Sequence, residues 1–384
     1  KLISFKFPIG VATTYNAFIL SMLFTMQRFY FLFLASGLLL MTSWANAMDP
    51  VEHPQLQTTF EAPIIRHIAV ILPLESPSFG EAAGVVKEGF AAATLREKQL
   101  PYVIRFYSTS DDPLDIFASH QHALAAGAIF VVGPLTRDGV SAIASMEHLD
   151  VPTLALNTAD SSVAMPSKLY LFGLRMETEA SQIVKLASVS GKSHAIIIAD
   201  DSGLSKRLQT AFSEQWHSEI GRTAEAIRNS DDPGKLQQLR AVTSGPDHLI
   251  FLALDAAKSR VVRSYLDPEV PVFATSQIFT DAENFLLNND LNGIEFVDMP
   301  WLLQPDHPAV MAYGHPRSSK SADMKRLYAL GIDAFRLMTH LLPPSSQPTE
   351  EISFDGVTGH VRFVPPNHFM REPVAARFEQ GKVQ

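Results

Sequence analysis

Two periods alternate along this chain. From about residue 63 onward, short apolar runs dense in β-branched residues are separated by stretches where alanine, valine and leucine recur every three or four positions. These are the patterns of buried strands and amphipathic helices. HIAVILP at 67–73 predicts a strand, 80–98 a helix, YVIRFY at 102–107 a strand, and 114–126 a helix. AIFVVGP at 128–134, a helix at 140–149 and PTLALN at 152–157 complete the first set. Strands this continuously apolar, alternating with helices, belong to a parallel sheet covered on both faces.

LYLFGL at 169–174 reads as a crossing segment, after which the alternation restarts. Helices are predicted at 177–190, 205–220, 235–242 and 257–266. Strands are predicted at 194–200, 224–227, 248–254, 271–275 and 293–298. Beyond Trp301, an amphipathic segment at 325–342 and strand-like pieces at 358–364 and 375–379 close the chain, with a loop break at Pro343-Pro344-Ser345-Ser346. The expectation is two α/β lobes, each a parallel sheet flanked by helices. The first takes about 63–170 with 320–384, the second about 171–319.

The segment before the alternation has a different logic. MQRFYFLFLASGLLLMTSWANA, starting at Met26, has one positive residue, Arg28, then an uncharged apolar run and the triplet Ala45-Asn46-Ala47. That order predicts a secretory signal peptide within 1–47, with translation starting at Met22 or Met26 and cleavage after Ala47. A polar lead follows at 48–62. Export to the periplasm is therefore expected.

Composition narrows the chemistry. The 384 residues, 46% hydrophobic and 18% charged, suffice for two linked cores. With no cysteine in the sequence, disulfides, thiol nucleophiles, cysteine-ligated metals and a lipid anchored through cysteine are not expected. Cleavage after Ala47 leaves 28 basic against 40 acidic residues, a formal charge of −12, with no basic run to attract nucleic acid. No phosphate-binding, dinucleotide, serine-hydrolase or zinc-protease motif occurs. His120 and His122 stand at i, i+2, pointing to different helix faces, so no metal site is expected there. A non-enzymatic protein without a cofactor is the reading.

Open α/β sheets hold ligands at the carboxyl ends of their strands. The candidates for an interlobe cleft are Ser76 and Ser78 after the first strand, Thr136 after the third, Asn157 and Thr158 after the fourth, and Asp201 and Ser202 in the second half. Each has a competing role, because serine, threonine, asparagine and aspartate cap helices at βα turns. Arg175 is a candidate ligand anchor, or an arginine paired with nearby Glu177 or Glu179. Trp301 is a partner-contact candidate on a loop, or a core plug at the lobe junction.

IAVILPLESPSFGEAAGVVKEGFAAA at 68–93 resembles the opening strand and helix of type I periplasmic binding proteins, particularly the penicillin-binding protein activators of the LppC type. GPLTRDGVSAIA at 133–144, VPTLALN at 151–157 and LYLFGLRMETEASQIVKLA at 169–187 follow in that family's order. So do DMPWLL at 298–303, LGIDAFRL at 330–337 and GVTGHVRF at 356–363. The resemblance implies a two-lobed type I periplasmic-binding-protein fold. It also implies a periplasmic regulator that binds a bifunctional penicillin-binding protein and stimulates peptidoglycan cross-linking. Two features set the chain apart from that pattern: the missing cysteine of an outer-membrane lipoprotein, and the missing helical-repeat domain between Ala47 and Pro63. The alternative is a solute-binding protein that delivers an amino acid or similar small polar ligand to an ABC transporter.

Overall fold

The computed structural model describes residues 65–96, 100–159, 165–280, 285–314, 321–342 and 352–384. All belong to one compact unit, Ala62–Gln384. The expected signal region, the polar lead and the loop break at 343–346 lie outside the described residues.

The first lobe starts with β1 (His67–Leu72), α1 (Gly80–Thr94), β2 (Val103–Ser108), α2 (Pro113–Ala125), β3 (Ala128–Val132), α3 (Arg137–Ala144), β4 (Thr153–Ala155) and β5 (Leu169–Leu171). The second holds α4 (Met176–Ser188), β6 (His194–Ala199), α5 (Gly203–Ile220), β7 (Glu225–Arg228) and α6 (Pro233–Thr243). It continues with β8 (His248–Ala253), α7 (Ala256–Arg263), β9 (Val272–Ala274), α8 (Phe285–Asn289) and β10 (Ile294–Asp298). Two single-turn helices, α9 (Pro300–Leu303) and α10 (Pro308–Met311), lead to α11 (Ala322–Leu341). The chain ends in β11 (Ser353–Asp355), β12 (His360–Val364), β13 (His368–Glu372), β14 (Val374–Glu379) and β15 (Lys382–Val383).

Local chemistry sets several boundaries. Asp112 accepts a hydrogen bond from the Leu114 amide, and Pro113 sits where a missing N–H costs nothing, so α2 starts there. Asp232 and Pro233 repeat the device for α6. α5 stops at Gly221, whose φ of 73° lies in the left-handed region.

The two sheets are wound alike. The parallel strands of the first run in the order β2-β1-β3-β4-β5 and those of the second β7-β6-β8-β9-β10. Each therefore has its switch point between the first and third strands of its lobe. Antiparallel strands extend one edge of each sheet: the β12–β13 and β11–β12 pairs in the first, and β14 and β15 beside β10 in the second. The chain passes between sheets three times, after β5, after β10 and between β13 and β14.

The closing segment differs from the sequence reading. The closing strands β14 and β15 join the second sheet, although the whole of 320–384 was expected with the first. Hydrophobic alternation reports that a strand has a buried face, not which sheet supplies it. β13 is also unanticipated, because HFMRE mixes buried apolar with charged positions. Both lobes have apolar, buried centres. β1 is buried at all six positions, and Phe212, Trp216 and Phe251 stack in the second core. α1 and α11 cross at two glycines: a Cβ on Gly89 would lie 2.0 Å from the Tyr328 carbonyl oxygen, and one on Gly331 2.1 Å from that of Val86. Only glycine permits that approach. Among the described residues, no helix is long and apolar enough to cross a membrane.

Candidate functional site

The strand-end loops of the first lobe turn their polar side chains onto their own backbone. Ser76, 5% exposed, accepts from the amides of Ser78 and Phe79 at 3.2 and 3.0 Å. Ser78 is exposed. Thr136 caps α3 by accepting from Gly139 N at 3.3 Å, which is why that helix begins at Arg137 and not at 140. Asn157 donates to the Leu135 carbonyl at 2.9 Å and accepts from the Thr158 amide at 3.0 Å, tying the end of β4 to the end of β3. Thr158 is buried beside it.

In the second lobe, Ser202 caps α5 by accepting from Ser205 N. Asp201 is exposed and pairs with Arg228 and Lys206. The more consequential acid is Asp200. Lys258 lies 2.5 Å from it and 3.4 Å from Asp255, clamping together the ends of β6 and β8 at the switch point. Burial works to raise the Asp200 carboxyl, but Lys258 and the Ser202 amide outweigh it and hold the group at about 2.

At the crossings the charges lie deeper. Glu177, at the start of α4, binds Arg137 of the first lobe at 3.2 Å and Arg207 of α5 at 2.7 Å. Glu179 accepts from Arg371 of β13 at 2.5 Å and from the Ser276 amide at 3.0 Å, with Glu179 and Arg371 both buried. Arg326 of α11 binds Asp298 at 2.6 Å and donates to the carbonyls of Ser276 and Phe279. Two buried ion pairs therefore join the lobes where the chain crosses. Glu177 and Glu179 are spent on these partners and neither pairs with Arg175, which is exposed. Trp301 is no loop aromatic. On α9, 5% exposed, it packs against Tyr328, and its amide donates to the Val357 carbonyl.

A groove of about 1410 Å³ opens between α4 and α5 on one side and the end of β5 with the β12–β13 hairpin on the other. It takes in Thr158 and Arg175 among the sequence candidates; Ser76, Ser78, Thr136, Asn157, Asp201 and Ser202 do not line it. Arg371 and Gln182, on its floor, were not among the sequence candidates. The HFMRE segment offered only a charged residue at a position that strand alternation turns inward. Among the described residues, no cluster of histidine, aspartate and glutamate could hold a metal ion. His120 is buried with Nε2 3.4 Å from the Thr153 hydroxyl, and His122 packs edge-on against Tyr107.

Two identically wound lobes, linked by three crossings, define a type I periplasmic-binding-protein-like domain. The family model described as "LppC putative lipoprotein" matches residues 45–244 and 247–381, and the chain belongs to the LppC family. A curated relative, the penicillin-binding protein activator LpoA of Photobacterium profundum, is 22% identical over 364 residues, covering 82% of this chain and 57% of the relative. The chain thus spans about half the length of the curated relatives it matches. A solved chain from Chromobacterium violaceum, described as "a putative branched-chain amino acid ABC transporter", is 35% identical with a TM-score of 0.70, covering 82% of this chain and 99% of that one. The C-domain of LpoA from Haemophilus influenzae, described as a regulator of PBP1A, is 20% identical with a TM-score of 0.69, covering 83% and 98% respectively. The family read from residues 63–382 is thus the family found.

Proposed function

We propose that this chain is a non-catalytic regulator, working in the periplasm, that binds a bifunctional penicillin-binding protein and stimulates its cross-linking activity. The observation that carries this is membership of the LppC family, whose curated relatives are named penicillin-binding protein activators. The signal-peptide pattern at 26–47 supports the compartment. The strand-end loops support the protein-binding reading. An amino-acid receptor needs a free carboxylate for the ligand's ammonium and free donors for its carboxylate. Here Asp200 and Asp255 share Lys258, so neither carboxylate at the switch point of the second lobe is free for an ammonium.

The test is reconstitution. Purified 48–384 is added to a purified bifunctional synthase from the same cells, and cross-linked product is followed with time. Stimulation with co-purification of the pair is expected, and neither product nor hydrolysis from the chain alone. A synthase indifferent to the chain in both binding and rate overturns the proposal.

The solute-receptor reading has its own support, the 35% identical solved chain described in terms of branched-chain amino acid transport. Calorimetry with branched-chain amino acids separates the two. Saturable heat with an unaffected synthase favours the receptor.

A further inference from the structure

Seven arginine and lysine side chains line the groove against four glutamates, in a chain whose formal charge is −9. Three of those glutamates are already committed: Glu177 to Arg137 and Arg207, Glu179 to Arg371, and Glu372 to Arg362. Arg175 and Lys185 are exposed and carry no ion pair among the described residues. Burial, and after it the charge of Arg175, lowers the pKa of His368. The groove is a cationic strip on an anionic protein.

Its floor adds a second observation. Arg371 is 5% exposed and gives Nη2 to Glu179, but its Nε and Nη1 are buried with no acceptor among the described groups. Gln182 donates through Nε2 to the Arg371 carbonyl at 3.0 Å, and its own Oε1 is buried with no donor. Both residues line the groove. Buried charged donors without acceptors are costly, and the group that relieves them is an acceptor brought from the groove side. The gap has a topological origin. β13 pairs with β5 at His368↔Leu171 alone, because β5 then leaves for the other lobe while β13 runs on to Glu372.

We propose that this groove holds an extended acidic polypeptide segment of a partner protein, with carboxylates over Arg175 and Lys185 at the rim and an acceptor delivered to Arg371 on the floor. Charge complementarity selects an anion. Length selects a polypeptide, since about 1410 Å³ exceeds the roughly 300–1,000 Å³ that encloses a small ligand. Leu186 and Phe369 give the groove apolar walls between its charges. The inference deepens the regulator reading by naming a docking face, and rests on that reading only for the partner's identity.

Fluorescence anisotropy with labelled hexaglutamate as the probe tests it on the whole mature chain. Saturable binding at low salt is expected, weakening as ionic strength approaches about 0.15 M. Arg175→Glu with Lys185→Glu lowers affinity roughly tenfold or more, since rim charges govern such encounters. The charge-matched Lys235→Glu with Lys382→Glu, off the groove, leaves it within about twofold. Circular dichroism melts establish that both doubles are folded. Arg371→Lys keeps the charge but loses the planar fork and weakens binding too. Absent saturable binding, equal loss in the two doubles, or citrate competing as well as unlabelled hexaglutamate overturns the proposal. A synthase pull-down separates the two readings. Peptide bound with no synthase recovered sinks the regulator reading and leaves the groove standing. Synthase recovered equally by wild type and the Arg175→Glu, Lys185→Glu chain sinks the groove as its docking face.

Discussion

Asp333 is the residue whose loss the structure makes most quantifiable. It is fully buried on α11, within LGIDAFRL, and its two oxygens receive four donors. Thr358 donates through its amide at 2.8 Å and its hydroxyl at 2.7 Å, the Val357 amide donates at 3.2 Å, and Arg336 at 3.2 Å. Burial pushes its carboxyl up from the ordinary value, and Arg336 and the Thr358 and Val357 donors work against that. Asp333→Ala strips the acceptor from the amides of Val357 and Thr358, both residues fully buried. At about 1 to 3 kcal/mol for each unsatisfied group, the loss is roughly 2 to 6 kcal/mol, a large share of the roughly 5 to 15 kcal/mol typical of a folded protein. The damage reaches the lobe crossing, because the Val357 carbonyl accepts from Trp301 on α9. In urea, with a slope of about 3 kcal/mol per molar for a chain this size, the midpoint falls by roughly 0.7 to 2 M. Asp333→Asn, nearly isosteric, also costs about 1 to 3 kcal/mol, since its amide places a donor against a donor. A midpoint for Asp333→Ala within about 0.3 M of wild type, equivalent to less than about 1 kcal/mol, would refute the reasoning.

Two further outcomes follow from other buried groups. Arg326→Leu leaves Asp298 unpaired in a buried crossing and costs about 3 to 5 kcal/mol, while Arg326→Leu with Asp298→Leu recovers much of it; thermal melts of the three proteins measure both. Burial lowers His120 to about 4, against the opposing charge of Asp150. The unfolded chain, titrating near 6.5, therefore takes up a proton that the folded one refuses. Its contribution is complete above pH 6.5 and declines towards pH 4 by roughly 3 kcal/mol. His120→Leu flattens that part of the pH–stability curve, and an unchanged slope in the variant refutes the assignment.

Much of this molecule was legible one residue at a time. β1, β3, β6 and β8 announce themselves because strands buried on both faces need no partner to be recognised; every position is apolar except the histidine that opens β1, β6 and β8. The caps at Thr136 and Ser202 were legible because a helix N-terminus and its cap are neighbours in sequence. The family could be read from short motifs whose meaning the fold supplies. Gly331 of LGIDAFRL is where α11 meets α1, and Asp333 of the same motif holds Thr358 of GVTG 25 residues away.

What the sequence by itself determined was the set of elements, their order and the family. Tertiary structure alone decided where charges meet and which sheet receives each closing strand. Glu177 and Glu179 follow Arg175 in the chain, yet they turn to Arg137, Arg207 and Arg371, up to 192 residues away. The reason is physical. Hydrophobic period is a local property, fixed by the pleat of a strand or the pitch of a helix. An ion pair depends on which elements the packing brings within about 4 Å, and no spacing along the chain encodes that distance. The groove exists because β5 and β13 part company after one paired residue. The sequence of neither strand records the other's departure.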